Sequence, residues 1–211
     1  MADWATISSL ATAGGTLVLA VATFSSVKSA NRSARVAELS LLAGLRPLLI
    51  PSRETDPVER VRFGDGAVMD VAGHGAAVTL GGDSIYLAVG LRNGGAGLAV
   101  IHGWRVQVRE RSSDSIAPDV ESFRRQQRDL HIPAGDTGFW QGAIRDRADP
   151  DYESLHAAIE RGLRLLLDVM YSDHEGGQRA IARFGVGPDD RAASYRAEVI
   201  RYWNVDRANP R

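Results

Sequence analysis

The N-terminal segment constrains this chain most, because residues 4–27 form a run of 24 residues without a charged side chain. At a helical rise of about 1.5 Å per residue, this run extends roughly 36 Å, which exceeds the ~30 Å hydrocarbon core of a bilayer. Lys28, Arg32 and Arg35 follow on its carboxyl side. The pattern predicts a membrane-spanning helix.

Two other interpretations of this segment stay open. The run is only marginally apolar, since eight of its residues are serine or threonine. Hydroxyl groups in a helix bond back to its own carbonyls, which lowers their cost in lipid. A buried helix of a soluble protein is one alternative. A cleaved signal peptide is the other, although such a peptide carries positive charge before its apolar region, where this chain has Asp3.

The flanking charges predict an orientation. Residues 28–46 contain four basic side chains and only Glu38 as an acidic one. Positively charged flanks stay on the cytoplasmic side and are attracted to anionic headgroups. We therefore expect a single-pass protein of the cell (inner) membrane, with its N-terminus outside and its C-terminal domain in the cytoplasm.

The helix is predicted to continue past the apolar run, over residues 4–45, because good helix formers follow until Gly44 and Pro47. Small residues recur along one of its faces, and small residues allow a second membrane helix to approach closely. This face predicts a homo-oligomer. Its members are Ser8, Gly15, Ala22, Ser26, Ser33, Ala37 and Gly44.

From Pro47 onward the pattern changes from helical to alternating. Residues 104–109 alternate apolar and polar side chains, as one strand of a half-buried sheet requires. Strands at this spacing with few helices favour an antiparallel β-sandwich over residues 47–211. About eight or nine strands are predicted, at residues 48–50, 58–63, 76–80, 85–93, 101–109, 139–144, 163–171, 179–186 and 195–203.

Local signals make the β domain more specific. The alternation predicts that Trp104, Val106 and Val108 point into the core while Arg105, Gln107 and Arg109 face water. One short helix interrupts the strands. Its expected N-cap is Asp149, Pro150 takes the first helical position, and Gly162 ends it.

Two turns are conspicuous. Residues 94–99 are glycine-rich but lead into a strand, whereas a nucleotide-binding glycine loop needs a helix after it. We interpret this turn as a backbone kink that requires positive φ. Residues 171–177 separate two alternating runs and predict a hairpin loop without chemistry.

These features support a resemblance. Asn93-x-Gly95-x-Gly97-x-Ala99 between two strands, Tyr171-x-Asp173 before a glycine turn, and the N-terminal apolar helix with its basic flank resemble uncharacterised bacterial single-pass membrane proteins. Those proteins carry one cytoplasmic immunoglobulin-like β-sandwich domain. The resemblance implies a mainly β, immunoglobulin-like fold and a membrane location. It implies no catalytic residues.

No pattern of residues assigns a catalytic, cofactor-binding or metal-binding site. The chain has no cysteine, and none of its five histidines is paired at the spacing of a metal-binding helix. Arg124, Arg125 and Arg128 form a basic cluster that Glu121 and Asp129 offset, which predicts a solvated loop. The weakly acidic domain argues against a nucleic-acid partner.

Two classes of function follow. The first is a membrane-anchored, non-catalytic binding or scaffolding module with an unidentified protein partner and no cofactor. The alternative is a membrane-tethered hydrolase whose site is assembled from distant residues such as His102, His131 and Asp136. Convergence of these side chains in one pocket would favour the enzyme.

Overall fold

The chain divides into two compact units, Met1–Gly44 and Leu45–Arg211. The computed structural model describes residues 3–189 and 194–209. Residues 190–193 and 210–211, which belong to the predicted β domain, lie outside the described part.

The first unit is one helix, α1 (Trp4–Gly44), of 41 residues. Thr12, Thr16 and Thr23 each donate a hydroxyl hydrogen bond to the carbonyl four residues earlier, at 2.8–2.9 Å. These bonds satisfy the hydroxyl groups within the helix, as expected for a helix that loses water. Over Ser8–Gly44 the helix is long and apolar enough to cross a membrane.

Within its described residues, the second unit contains eleven strands and one short α-helix, α2 (Tyr152–Glu160). All nine predicted strands are present, so the prediction of a mainly β fold behind a long N-terminal helix is confirmed. The strands are β1 (Leu49–Pro51), β2 (Glu59–Arg62), β3 (Val68–Val71), β4 (Gly75–Gly81), β5 (Ser84–Asn93), β6 (Ala99–Val108), β7 (Arg124–Ile132), β8 (Thr137–Ile144), β9 (Leu165–Ser172), β10 (Ala180–Asp189) and β11 (Ser194–Asn204).

Nine of these strands form one antiparallel sheet in the order β1-β5-β4-β11-β10-β9-β6-β7, and β8 pairs with the other edge of β5. Only two residue pairs join β4 to β11. At this narrow junction the sheet curls, so that β8, β5 and β4 cover the strands from β11 to β7. The hairpin β2-β3 forms a separate small sheet.

The core fills the space between these two layers. The rings of Trp104 on β6 and Trp140 on β8 meet edge to face, with centroids 5.3 Å apart. Gly142 makes room for them, because a Cβ there would lie 2.5 Å from the Trp140 ring. Trp104 and Val106 are buried and Val108 packs against the core, so the predicted inward face of β6 is confirmed.

Two strands were not predicted, and each has a physical reason. β7 begins with a run of arginine and glutamine side chains that shows no apolar alternation. β3 has only four residues between glycines and is stabilised by the hairpin with β2. Short or polar strands of this kind depend on tertiary pairing, which local pattern does not report.

The predicted start of the short helix is wrong. α2 begins at Tyr152 with Asp151 as its N-cap, later than the predicted cap at Asp149. Asp149 instead accepts a hydrogen bond from the Asp151 N–H at 3.0 Å and binds an arginine of β7. The predicted end is confirmed, since Gly162 has φ of 63°.

The side-chain amide of Asn93, which is fully buried, joins three segments at the start of the domain. Its Oδ1 accepts from the Leu48 N–H at 3.1 Å, and its Nδ2 donates to the carbonyls of Gly97 and Ile132 at 2.6 and 3.0 Å. The amide thus holds the chain before β1, the β5-β6 turn and the end of β7 together.

The glycine-rich β5-β6 turn has a different cause from the one predicted. None of its glycines has positive φ. A Cβ on Gly95 would lie 2.6 Å from Leu48 N, and one on Gly97 would lie 2.7 Å from the carbonyl carbon of Leu45. The turn is glycine-rich because residues 45–48 cross it in direct backbone contact.

A buried ion pair lies on the outer side of β9 and β10. Asp168 accepts two hydrogen bonds from the Arg183 guanidinium, at 2.6 and 2.8 Å, and both side chains are at least 98% buried. Arg183 also donates to the carbonyls of Ser113 and Ile116 and stacks on Trp203. Each of its three guanidinium nitrogens therefore has an acceptor, and the bonds to Ser113 and Ile116 hold the 3₁₀ turn Arg111–Ser115 against the sheet.

We expect Gly97→Ala to destabilise the β domain by about 1–3 kcal/mol, because the new methyl group must displace residues 45–48. Gly94→Ala is the matched control, since its Cβ would meet only the tip of Ile50 at 3.3 Å. Thermal unfolding of both variants in detergent measures the difference. Equal unfolding midpoints for the two variants would contradict the close contact between residues 45–48 and the β5-β6 turn.

Trp104→Ala is expected to lower the free energy of unfolding by about 3–5 kcal/mol, because it leaves a cavity beside Trp140. Arg105→Ala on the opposite face of β6 serves as the control and should change stability by about 0.5 kcal/mol. Urea unfolding followed by circular dichroism compares them. An unchanged midpoint for the Trp104 variant would show that the two layers do not meet there.

Arg183→Met alone should cost about 3–5 kcal/mol, because Asp168 is left charged and buried without a partner. The double variant Arg183→Met with Asp168→Leu should recover part of that loss, since the orphaned charge is removed. A double-mutant cycle on urea midpoints measures this coupling. Additive losses would argue against a coupled pair.

Candidate functional site

A cleft of about 790 Å³ lies between β7, β8 and the turn of the β2-β3 hairpin. We call it the arginine cleft. Five arginines and only one aspartate line it, although the chain as a whole has a net charge of −1. Its lining residues are Arg62, Phe63, Gly64, Asp65, Trp104, Arg124, Arg125, Gln126, Gln127, Arg128, Gln141, Gly142, Ala143 and Arg145.

One wall of the cleft is fixed by Arg124 at the start of β7. Its guanidinium lies 5.5 Å from the Trp104 ring centroid and donates to the carboxylates of Asp149 and Asp151 at 2.5–2.6 Å. The hydrogen bonds to Asp149 raise the pKa of Arg124 and lower the pKa of Asp149. Arg124 is therefore a structural cation, already neutralised by its neighbours.

The opposite wall is fixed by Asp65 in the β2-β3 turn. Its carboxylate accepts from Arg145 Nε at 2.7 Å and from the Tyr86 hydroxyl at 2.9 Å. The hydrogen bond from Arg145 is the main cause that lowers the pKa of Asp65 to about 2. Asp65 thus stays ionised and bound to Arg145 throughout the physiological range.

The other three arginines of the cleft are not neutralised in this way. Within the described part of the chain, no carboxylate forms an ion pair with Arg62, Arg125 or Arg128, and all three side chains are exposed. The prediction that Glu121 and Asp129 offset this cluster is wrong, because Arg124 binds Asp149 and Asp151 instead. The cleft therefore presents unpaired positive charge.

A bulge in β7 shapes the floor. Arg125 lies opposite Gly103 on β6 and Leu130 lies opposite Ile101, so residues 126–129 loop out of the ladder. Gln126 uses the bulge to reach across to β8, where its Nε2 donates to the main-chain oxygen of Gln141 at 3.2 Å. This side chain bridges the two facing strand edges.

Two acceptors in this floor have no hydrogen-bond partner. Among the described residues, four buried side-chain atoms are unpaired, and Gln126 Oε1 and Gln141 Oε1 are two of them. The orientation of the Gln126 amide is set by its bond to β8, so its free atom is the oxygen. Gln141 is only 8% exposed. Unpaired buried oxygens are costly and call for a donor.

The chemistry of the cleft is that of binding. Its described lining contains guanidinium, amide, carboxylate and aromatic groups, and no histidine, serine or lysine. Guanidinium groups and amide oxygens together recognise ligands that carry both negative charge and hydrogen-bond donors.

No hydrogen bond or ion pair joins the three residues named for the alternative enzyme in the described part of the chain. His102 Nε2 lies 2.6 Å from Ser172 Oγ, and that buried hydroxyl donates to the main-chain oxygen of Asp173 at 2.5 Å. Asp136 instead accepts from the Thr137 N–H. No contact joins it to His102 or His131 in the described part of the chain.

His102 is a poor general base in this setting. Burial lowers the pKa of His102, the charges of Arg179 and His131 act in the same direction, and Asp173 opposes them. Ser172 is fully buried and its proton is committed to the main chain. The described residues also contain no group of three or more His, Cys, Asp or Glu side chains placed to hold a metal ion.

The seven small residues predicted as an association face of α1 are all exposed, as are Leu10, Leu17, Leu19 and Phe24 of the same helix. A single chain does not distinguish this face from the others, so the homo-oligomer stays a prediction.

The arginine cleft was missed at the sequence level for a definable reason. The sequence placed Arg124, Arg125 and Arg128 together but offered only their neighbours as counter-charges. The residues that decide which arginines are free lie 25 or more positions away. A strand assignment for β7 would not have identified the cleft either, because alternation groups Arg124 with Arg128, whereas only Arg124 is paired.

Comparisons with known proteins give no family. No protein-family model matches the chain, and no curated protein sequence matches it either. A crystal structure of a protein from Archaeoglobus fulgidus is similar to it at 10% identity and a TM-score of 0.26, covering 62% of this chain and 93% of that chain.

Proposed function

We propose that this protein is a membrane-anchored, non-catalytic binding module whose β domain recognises a protein partner through the arginine cleft. The observation that carries the anchor is the exposure of α1. Among the described side chains between Trp4 and Val27, the large apolar ones are 54–82% exposed. At 100° per residue their positions are spread around the helix. Such a surface is unstable in water and favourable in lipid.

The internal hydroxyl bonds support the same proposal. A helix with many threonines and serines enters lipid only if those groups are satisfied, and Thr12, Thr16 and Thr23 satisfy themselves. We place the protein in the inner membrane. The basic residues that follow Val27 support an orientation with the N-terminus outside and the β domain in the cytoplasm.

The domain supports binding better than catalysis. Its principal cleft holds unpaired cations and unpaired acceptors, whereas His102, His131 and Asp136 are not gathered into a pocket. We also propose that the domain is of the immunoglobulin-like type. The curled antiparallel sheet with two facing layers supports this assignment.

The anchor is tested by placing a charge within α1. Leu17→Arg should release the protein from membranes or prevent its insertion, because an arginine at the centre of a spanning helix costs about 2.5–3.5 kcal/mol. Val36→Arg is the matched control, since Val36 is also an exposed apolar residue of α1 but lies within the basic flank. Carbonate extraction of membranes measures the retained fraction. Full extraction of the parent protein would contradict the anchor.

Orientation is tested with single cysteines, which the chain lacks. In intact cells, a membrane-impermeant maleimide should label Asp3→Cys but should reach Glu153→Cys, an exposed position of α2, only after permeabilisation. Labelling in the reverse order would place the β domain outside.

A further inference from the structure

We propose that the arginine cleft binds an extended, acidic peptide segment of the partner protein. Carboxylates of the peptide pair with the three free arginines, and its main-chain N–H groups donate to the two free glutamine oxygens. The inference rests on the proposed binding function and specifies its ligand. The ligand is defined by charge and backbone, so recognition is largely independent of sequence.

The free arginines set the charge of the ligand. Arg125 and Arg128 lie on β7 and Arg62 lies on the facing hairpin, so the three surround the cleft from two sides. Like charges held together raise the energy of the unliganded domain, and a polyanionic ligand removes that cost. Guanidinium groups form strong, paired hydrogen bonds with carboxylates.

The unpaired glutamine oxygens restrict the chemical class of the ligand further. Gln126 Oε1 is a hydrogen-bond acceptor, and a sulfate ion or a phosphodiester group offers it only further acceptors. A bound water molecule would satisfy this oxygen but leave the guanidinium groups unneutralised. A peptide supplies N–H donors and carboxylates in one molecule, so it can pair with both the glutamine oxygens and the arginines.

The strand edges explain why the peptide is extended. Within the described sheet, β7 pairs only with β6 and β8 pairs only with β5, so each has an unpaired edge at the cleft. Exposed edges of this kind take an added strand from a partner. The Gln126 amide already donates to the β8 edge, in the place of a strand N–H.

The size of the cleft agrees with a short segment. Its volume of about 790 Å³ falls in the range of roughly 300–1,000 Å³ that ligand pockets occupy. Phe63 and Trp104 also line the cleft but are only 4% and 5% exposed. An extended segment with alternating acidic residues places its carboxylates on one side, where they reach the arginines.

The experiment uses the full chain in detergent micelles and a fluorescein-labelled peptide of alternating Glu and Val, nine residues long. Fluorescence anisotropy should show binding that weakens as salt rises. Two control peptides separate the two parts of the recognition. The Gln-Val counterpart lacks the charge, and a version N-methylated at alternate residues lacks the donors. Both should bind at least about tenfold more weakly.

Arg62→Gln should weaken the Glu-Val peptide about tenfold. Arg60→Gln is its control, because Arg60 is on the same strand but outside the cleft, 73% exposed and 3.8 Å from Asp70. Equal affinity of both variants would overturn the site.

Gln141→Leu separates binding from folding. It removes a buried unpaired oxygen, so the unliganded domain should unfold at the same or a higher temperature while the peptide binds several-fold more weakly. Unchanged peptide affinity in this variant would contradict the donor contact.

Other ligands provide the remaining outcomes. Inorganic phosphate at millimolar concentration, or a single-stranded oligonucleotide, should not displace the peptide beyond the effect of ionic strength. If either binds in the cleft while the Glu-Val peptide does not, the ligand is a phosphate or a nucleic acid and the proposal is wrong. If the protein stays in membranes after carbonate extraction but binds no peptide, the membrane anchor is supported and the peptide proposal is wrong.

Discussion

The buried side-chain amide of Asn93 is the constraint on which the β domain depends. An amide without partners in a dry interior costs several kcal/mol, so its position requires the three segments that satisfy it. Those segments are the chain before β1, the β5-β6 turn and the end of β7. Each belongs to a different part of the sheet, and fixing them relative to one another determines where the facing edges of β7 and β8 lie. The geometry of the arginine cleft follows from that arrangement.

Sequence patterns predicted the fold well where the information is local. The alternation in β6 identified a strand and its inward face, because burial of Trp104 and Val106 follows directly from the period of two. The glycine-rich turn has a cause other than the predicted positive φ. Gly95 and Gly97 are required because main-chain atoms more than 40 residues earlier in the chain lie against them. A glycine reports that space or positive φ is needed, and the sequence alone does not separate these two needs.

The candidate site was predicted less well, because its properties are set by distant partners. Whether an arginine is free depends on which carboxylate the fold brings to it, and Arg124 is neutralised by Asp149, which lies in the β8-α2 connection. The unpaired oxygen of Gln126 likewise exists only because a bulge in β7 directs this side chain to β8. Charge counts along the chain carry none of this information.

The contacts of Arg46 and Leu49 link the beginning of the domain to its last strand. Arg46 donates to the side chain of Asn204, 158 residues later, and the Tyr202 hydroxyl donates to the Leu49 carbonyl at 2.7 Å. At a synthesis rate of about 5–20 residues per second, roughly 10–30 s separate the two ends on the ribosome. The apolar helix and β1 therefore emerge well before β11. β1 can pair with β5 early, whereas the contacts of Arg46 and Leu49 with the last strand form only when translation is nearly complete.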